Sequence, residues 1–359
     1  MILPSPRVAR RGSFTALTGR PGERNTKEAM LPLPPFTYHA PATLPEALSL
    51  LSEHGMDALP MAGGTDLLVN LKHRLYDARH VVGLRGLPEL RGIREEPDGA
   101  VVLGALTPIA ELTRNPLVRS RLPSLAAAAG AIAGPQLREM GTLGGNLCLD
   151  TRCVYVNQSR FWRQALGGCL KKDGTTCHVV PGGRNCVAAA SCDTAPVLAT
   201  LGARVNLASV AGEREVTVAA LYVADGIRNH VRRPDELLVS VRVPPLPAGL
   251  VAGFAKLRMR EAIDFPALSI AVALLAPGGR VERVAVTVGA LAARPHAVAG
   301  LERFRGRIWG RDVADEIGAL TRRQCHPLAN INVDPEWRRE VLAVHVRRAF
   351  AAAGALPAG

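Results

Sequence analysis

Residues 58–68 read ALPMAGGTDLL: a short apolar stretch, two glycines, a Thr-Asp pair and the start of a leucine-rich run. An apolar run closed by glycines predicts a strand, and LLVNLKHR beyond it predicts a helix-like segment. Strand, glycine turn and helix in that order bring bare backbone up to a ligand. Without a Cβ in the way, the N–H groups around Gly63 and Gly64 can approach a phosphate, and a helix start favours an anion. Thr65 adds a hydroxyl. The spacing is neither the G-x-G-x-x-G of dinucleotide folds nor a P-loop. A second glycine pair lies in TLGGNL, residues 142–147. Alone, each loop reads first as a tight turn. Together they favour a diphosphate cofactor without naming it.

Outward from these loops the chain alternates short elements. TLPEALSLLSEHG, residues 43–55, predicts a helix capped by Thr43, with Glu46 completing a capping box and Gly55 closing it. Short Val/Leu strands separated by Gly and Pro-Asp-Gly turns follow through about residue 112. LPSLAAAAGAIAGPQLREMG predicts an Ala-rich helix broken at Gly134-Pro135. SCDTAPVLATLGARVNLASVAGEREVTV predicts a helical turn and a hairpin. DELLVSVRVPPLP predicts a strand running into prolines, a natural domain end. From about residue 250, AGFAKLRMR, LSIAVALLA and RVERVAVTVGAL predict three strands. HAVAGLERF, VADEIGALTRRQ and PEWRREVLAVHVRRAFAAA then predict helices, and this grouping suggests a separate α+β domain.

The bulk composition narrows the function classes. The chain has 359 residues, 48% of them hydrophobic and 21% charged, so it is globular with ample core. No run of about 20 apolar residues occurs, and no membrane span is expected. The formal charge of +13 invites a nucleic-acid reading. The arginines are scattered, however, and no aromatic-basic RNA-binding motif is present, so nucleic acid is not an expected partner. The surplus reads instead as a compositional bias or a surface that docks acidic partners. Residues 1–29 are polar, basic and aperiodic. Their Arg-Arg pair lacks the apolar region an export signal needs, so a disordered extension or a mis-assigned start is expected, with translation beginning at Met30.

Seven cysteines are present, six of them between Cys148 and Cys192. With no secretory signal and an odd count, the cluster suggests metal before disulfides. Cys153, Cys169, Cys177 and Cys186 are spaced C-x15-C-x7-C-x8-C in a segment rich in Gly, Lys, Arg and Asn. Structural zinc prefers close C-x2–4-C pairs, and none occurs here. Well-separated thiolates on a Gly-rich loop also suit a [4Fe–4S] cube, one thiolate per iron. Spacing alone leaves both open. Lys171, Lys172 and Arg184 would offset a cluster's negative charge. Tyr155, Phe161 and Trp162 are expected to pack over it.

AGGTDLL, TLGGN, SCDTAPVL and FAKLRMREAIDFPALSIAVAL resemble, in this order, the FAD-binding subunits of the xanthine dehydrogenase and carbon monoxide dehydrogenase family of molybdenum hydroxylases. The resemblance runs from about residue 33 to 350. It implies an α+β fold: a two-subdomain PCMH-type FAD-binding domain, vanillyl-alcohol-oxidase-like, over residues 30–247. A carbon monoxide dehydrogenase flavoprotein C-terminal domain, a three-stranded sheet plus helices, would cover 248–359. It further implies that Met61, Ala62, Gly63, Gly64, Thr65, Asp66 and Leu67 hold the flavin pyrophosphate. Thr142, Gly144, Gly145 and Asn146 would lie against the flavin and its linker. Asp193 would reach the adenosine ribose and Lys256 the isoalloxazine, roles that suit a carboxylate acceptor and an ammonium.

In ordinary members of that family the glycine-Asn loop leads almost directly to the Asp-x-x-Pro segment. Here an insertion spanning residues 148–190 intervenes. It resembles that of the 4-hydroxybenzoyl-CoA reductase branch, whose β subunits carry FAD plus a [4Fe–4S] cluster. The branch's ligand positions match Cys153, Cys169, Cys177 and Cys186; Cys148 and Cys192 would be nearby buried thiols, and Cys325 structural. The resemblance implies electron transfer from ferredoxin through this subunit and the [2Fe–2S] clusters of a small subunit. A molybdenum cofactor in a large subunit would then remove the phenolic hydroxyl of the thioester, in anaerobic aromatic degradation by the benzoyl-CoA pathway. It also implies a cytoplasmic complex of paired heterotrimers. The other reading is a hydroxylase FAD subunit that passes electrons outward to NAD+ or a quinone.

Overall fold

In the computed structural model, residues 31–357 are described. The expected extension, with its start at Met30, lies outside them. Thr43 caps the first helix, Leu44–His54, by accepting from the Glu46 N–H at 3.3 Å, while the Glu46 carboxylate accepts from the Ala42 N–H. Ala47, Leu48 and Leu51 form its buried face, and Gly55 ends it at φ 51°. The helix is the crossover between strands β1 (Thr37–His39) and β2 (Ala58–Met61). Both pair in parallel with β3 (His80–Gly83), giving a small sheet in the order β1-β3-β2.

A five-stranded antiparallel sheet forms the centre. It contains β4 (Ile93–Glu95), β5 (Val101–Gly104), β6 (Arg204–Ser209), β7 (Gly212–Thr217) and β8 (Leu237–Val243), in the order β4-β5-β8-β6-β7. Its core joins Val101, Leu103, Val205, Leu207 and Val241 to Leu112, Leu125, Leu143 and Leu198 from short helices. Leu106, Ala208 and Leu237 also pack with Leu48, Leu51 and Val82, which seats the small sheet on this one.

The last third is a four-stranded antiparallel sheet: β9 (Val251–Leu257), β10 (Leu268–Leu275), β11 (Arg283–Gly289) and the two-residue β12 (His296–Ala297). Every residue of β10 is buried, as a central strand covered on both faces requires. Helices Arg311–Gln324 and Leu342–Ala352 supply much of the cover through Val313, Ile317, Leu320, Val346 and Phe350. Arg338 is buried without a carboxylate partner. Its guanidinium donates to the carbonyls of Ala267, Leu328 and Ala290 at 2.7–2.9 Å, and burial lowers its pKa to about 10.

Candidate functional site

β2 runs into the first glycine loop, and a short helix, Leu67–Lys72, leaves it. Gly64 holds φ 73°, a conformation that favours glycine. A Cβ on Gly63 would stand 1.8 Å from the Met140 carbonyl oxygen. The first loop therefore lies directly against the chain entering the second. Among the described residues, the backbone N–H groups of Gly63, Gly64, Thr65 and Asp66 donate to no protein acceptor. Thr65 is exposed beside them. Bare, adjacent N–H groups on a glycine turn fit an anionic diphosphate.

The second loop is built differently. Residues Leu143–Leu147 form a helical turn capped by Thr142, whose hydroxyl accepts from the Gly145 N–H at 3.2 Å. The Gly144 and Asn146 N–H groups are bonded to Ala105 and Thr142 carbonyls. This loop offers shape and the Asn146 amide rather than free backbone donors. The Asn146 Oδ1 accepts from the Thr194 hydroxyl at 2.7 Å and from the Cys192 thiol at 3.0 Å. That bond carries the site to Asp193.

Asp193 and Lys256 meet each other, 2.7 Å apart, both almost fully buried. The Lys256 ammonium also donates to the carbonyls of Ala131 and Asp264 at 2.9 and 3.0 Å. Asp193 Oδ1 is buried with no partner. Burial raises the Asp193 pKa to about 6, against the opposing pull of Lys256 and Arg258. An orphaned carboxylate oxygen in a polar pocket fits an acceptor for a ligand hydroxyl. The sequence resemblance gives these two residues different parts of the flavin; the structure joins them as one pair.

Cys153, Cys169, Cys177 and Cys186 line a single small cavity with Tyr155, Val156, Leu170, Lys171, His178 and Val179. All four are buried and none is in a disulfide. Backbone N–H groups of Val180 and Ala188 point at the sulfurs of Cys177 and Cys186, at 3.4 and 3.5 Å. Burial pushes the Cys153 thiol up to about 11, and the other three cysteines add to the rise; Cys186 is also raised, mainly by burial. Four thiols crowded out of water favour the anionic form only with a cation among them. A single zinc with sulfurs at 2.3 Å would hold them about 3.8 Å apart. Among the described residues, the only three His, Cys or carboxylate ligand atoms within 4.8 Å of one another are histidines elsewhere. Four thiols on one cavity form a donor set suited to a metal centre, and both zinc and an iron–sulfur cube take four thiolates.

The insertion has one helix, Arg160–Leu166, capped by Ser159. Phe161 is 82% exposed and faces outward, because Arg163 takes the buried side of that helix, whereas the Trp162 ring lies against Tyr155, with centroids 6.4 Å apart. The Arg163 guanidinium donates to the carbonyls of Gln158, His73 and Arg74. Tyr155 does line the cavity. Lys171 donates to Asp150 and Thr151, and Lys172 pairs with Asp77. Asn330, from the C-terminal third, donates to the Val187 and Leu291 carbonyls and accepts from the Val154 N–H.

Sequence reasoning did not find the link between the two sites. Arg152 donates to Asp66 Oδ1 at 3.0 Å, and Asn70 to Oδ2 at 2.8 Å. The Asp66 side chain, expected at the cofactor, also ties the glycine loop to the insertion. Tyr76 reinforces the link by donating to Asp150 at 2.8 Å. Arg152 and Asp66 lie 86 residues apart, and no local pattern signals the pairing.

Comparison with known proteins agrees with this geometry. Residues 34–246 match the family described as FAD binding domain in molybdopterin dehydrogenase, and residues 253–353 match the CO dehydrogenase flavoprotein C-terminal domain. The chain is 29% identical to the carbon monoxide dehydrogenase medium chain of Hydrogenophaga pseudoflava over 329 residues, 91% of this chain and 99% of that protein. It is 30% identical to the xanthine dehydrogenase FAD-binding subunit of Escherichia coli O157:H7 over 260 residues, 72% of this chain and 75% of the relative. The solved carbon monoxide dehydrogenase from Hydrogenophaga pseudoflava superposes with a TM-score of 0.73 at 28% identity, covering 90% of this chain and 98% of that one. Quinoline 2-oxidoreductase from Pseudomonas putida 86 gives a TM-score of 0.72 at 25% identity, covering 90% and 99%.

Proposed function

The chain belongs to the family of FAD-binding domains of molybdopterin dehydrogenases, and from that membership we propose an electron-transfer subunit of a molybdenum hydroxylase complex, holding both FAD and a [4Fe–4S] cluster. In its finer form the proposal is the β subunit of a 4-hydroxybenzoyl-CoA reductase. It would work in the cytoplasm with a large molybdenum-cofactor subunit and a small [2Fe–2S] subunit, in paired heterotrimers. Ferredoxin would supply electrons for reductive dehydroxylation to benzoyl-CoA. The observation that carries the reading is the convergence of four cysteines on one cavity, in an insertion bonded to the glycine loop. Relatives named as medium chains support a multi-subunit setting.

FAD exchanges electrons singly or in pairs and an iron–sulfur cluster exchanges them singly, so together they supply electron transfer. The chain's own residues bind, orient and exclude water. The N–H groups of Gly63 to Asp66 and the Thr65 hydroxyl receive the pyrophosphate. Gly144, Gly145 and Asn146 shape the wall beside it. Asp193 accepts from a ligand hydroxyl, and Lys256 balances its charge at the same place. Cys153, Cys169, Cys177 and Cys186 each offer one thiolate. The N–H groups at Val180 and Ala188 lower the electron density on sulfur, and Lys171 adds positive charge beside Cys186. Tyr155, Val156 and Val179 limit water at the cavity.

The test is metal and flavin analysis of anaerobically purified complex. We expect one flavin with about four iron and four acid-labile sulfide per chain. Cys169→Ser and Cys186→Ser should lose iron and keep flavin. Zinc, or no metal, in place of iron sinks the cluster, and no thioester-dependent oxidation of a reduced dye sinks the finer assignment. The second reading, electron flow outward to NAD+ or a quinone, is favoured by the similarity to a xanthine dehydrogenase subunit. Rapid flavin reduction by NADH would select it.

A further inference from the structure

Three histidines converge at the far side of the small sheet, away from the cysteines in sequence. His39 ends β1, His80 opens β3, and His54 is the last residue of the helix between β1 and β2. In the parallel pairing, His39 lies opposite Val82, two residues beyond His80, so the two histidines are diagonal neighbours on one face. Their ring nitrogens, His39 Nε2 and His80 Nδ1, are 2.9 Å apart. His54 and His80 stack with ring centroids 3.8 Å apart and planes within 4°. One ligand nitrogen from each of the three falls within 4.8 Å of the other two.

Packing alone does not account for this arrangement. The rings are half-buried, so solvent reaches them. The His39–His80 bond is the only hydrogen bond any of the three rings makes among the described residues; the nearby Glu53 carboxylate acts on His39 through space without bonding to it. The helix ending at His54 directs its terminal carbonyls toward the cluster's end of the fold, where a cation is favoured.

We propose that His39, His54 and His80 form a binding site for a divalent late transition metal. Three neutral imidazoles suit zinc, cobalt, nickel or copper, and poorly suit magnesium or calcium, which take oxygen ligands. Three ligands leave a fourth position for water. Occupancy clips the three-residue edge strand β1 to β3 and to the end of the helix. The glycine loop leaves the same sheet from β2, so the clip braces the platform of the cofactor site. The inference does not depend on the identity of the cofactor or the presence of a cluster.

Cobalt(II) chloride titration of the purified full chain, with His54→Gln and His80→Gln variants beside it, tests the site. Imidazole-bound cobalt gives visible d–d bands, whereas thiolate ligation adds an intense near-ultraviolet charge-transfer band, so the cysteines are distinguished. We expect one equivalent of imidazole-type cobalt in the native chain and at least about tenfold weaker binding in each variant. Zinc should displace it, and saturating zinc should raise the unfolding midpoint of the native chain only. His54→Gln sits at a half-buried helix end, so its flavin content serves as the folding control. Equal imidazole-type binding by native and variant chains, or purely thiolate-type cobalt, overturns the proposal.

Discussion

Asp193 shows what burial does to a single carboxylate. Lys256 stands 2.7 Å away, yet loss of water outweighs its attraction and the pKa rises to about 6. Below that value the group is mainly neutral; above it, mainly charged. A ligand hydroxyl donating to the orphaned Oδ1 prefers the charged form. FAD binding to flavin-stripped protein should therefore weaken as pH falls through 6, by up to about tenfold per unit. Asp193→Asn should bind more weakly and with a flat profile between about pH 5 and 7.5. Fluorescence titration of FAD reads both, and parallel slopes would remove Asp193 from the site. Neither residue announces itself in sequence. Asp193 reads locally as a helix-start carboxylate and Lys256 as a strand lysine, and a separation of 63 positions conceals the pair. Phe161 teaches the converse: an aromatic in the cysteine-bearing segment suggests cover, but the buried face of its helix went to Arg163.

At the scale of elements, local chemistry was legible where one signal dominated. The Thr43 cap, the hairpin of β6 and β7 and the three long strands of the last sheet follow the expected pattern. It was less legible where tertiary contacts chose. TLGGNL reads as a loop because glycine disfavours helix, yet the Thr142 cap and the Ala105 carbonyl hold a helical turn there. HAVAGLERF reads as helix, but His296–Ala297 extends the sheet beside β11 and Gly300 turns the chain at φ 74°. The predicted helix after Pro335 is divided at Val341. The first glycine loop was legible as a turn with bare backbone donors, but not that Gly63 is also where the two loops touch. Gly63→Ala would force a methyl into the Met140 carbonyl, a backbone atom that cannot swing aside. We expect a loss of about 1–3 kcal/mol in stability. Flavin content should fall while iron content stays near native. Full flavin occupancy in that variant would mean that the loops separate freely.

For the whole molecule, a surplus of +13 charges gives the chain a long-range positive field. No helix among the described residues is long and apolar enough to cross a membrane. If the donor is an acidic ferredoxin, long-range attraction should set the encounter rate. Stopped-flow reduction of the bound flavin should then slow by about tenfold between ~20 and ~300 mM salt, as screening shortens the reach of the field. A rate indifferent to salt would assign the charge to composition alone. The architecture that organises these surfaces is partly hidden from any reading along the chain. The central sheet takes strands from before and after the insertion, β5 pairing with β8, so the cysteine segment leaves and re-enters a shared core. Asn330 fastens that segment from much later in the sequence. On the ribosome, all four of these cysteines emerge well before Asn330, the residue that braces their segment. If they take up the proposed cluster, its loading should follow synthesis of most of the polypeptide, since only then is the tertiary frame around the thiols complete.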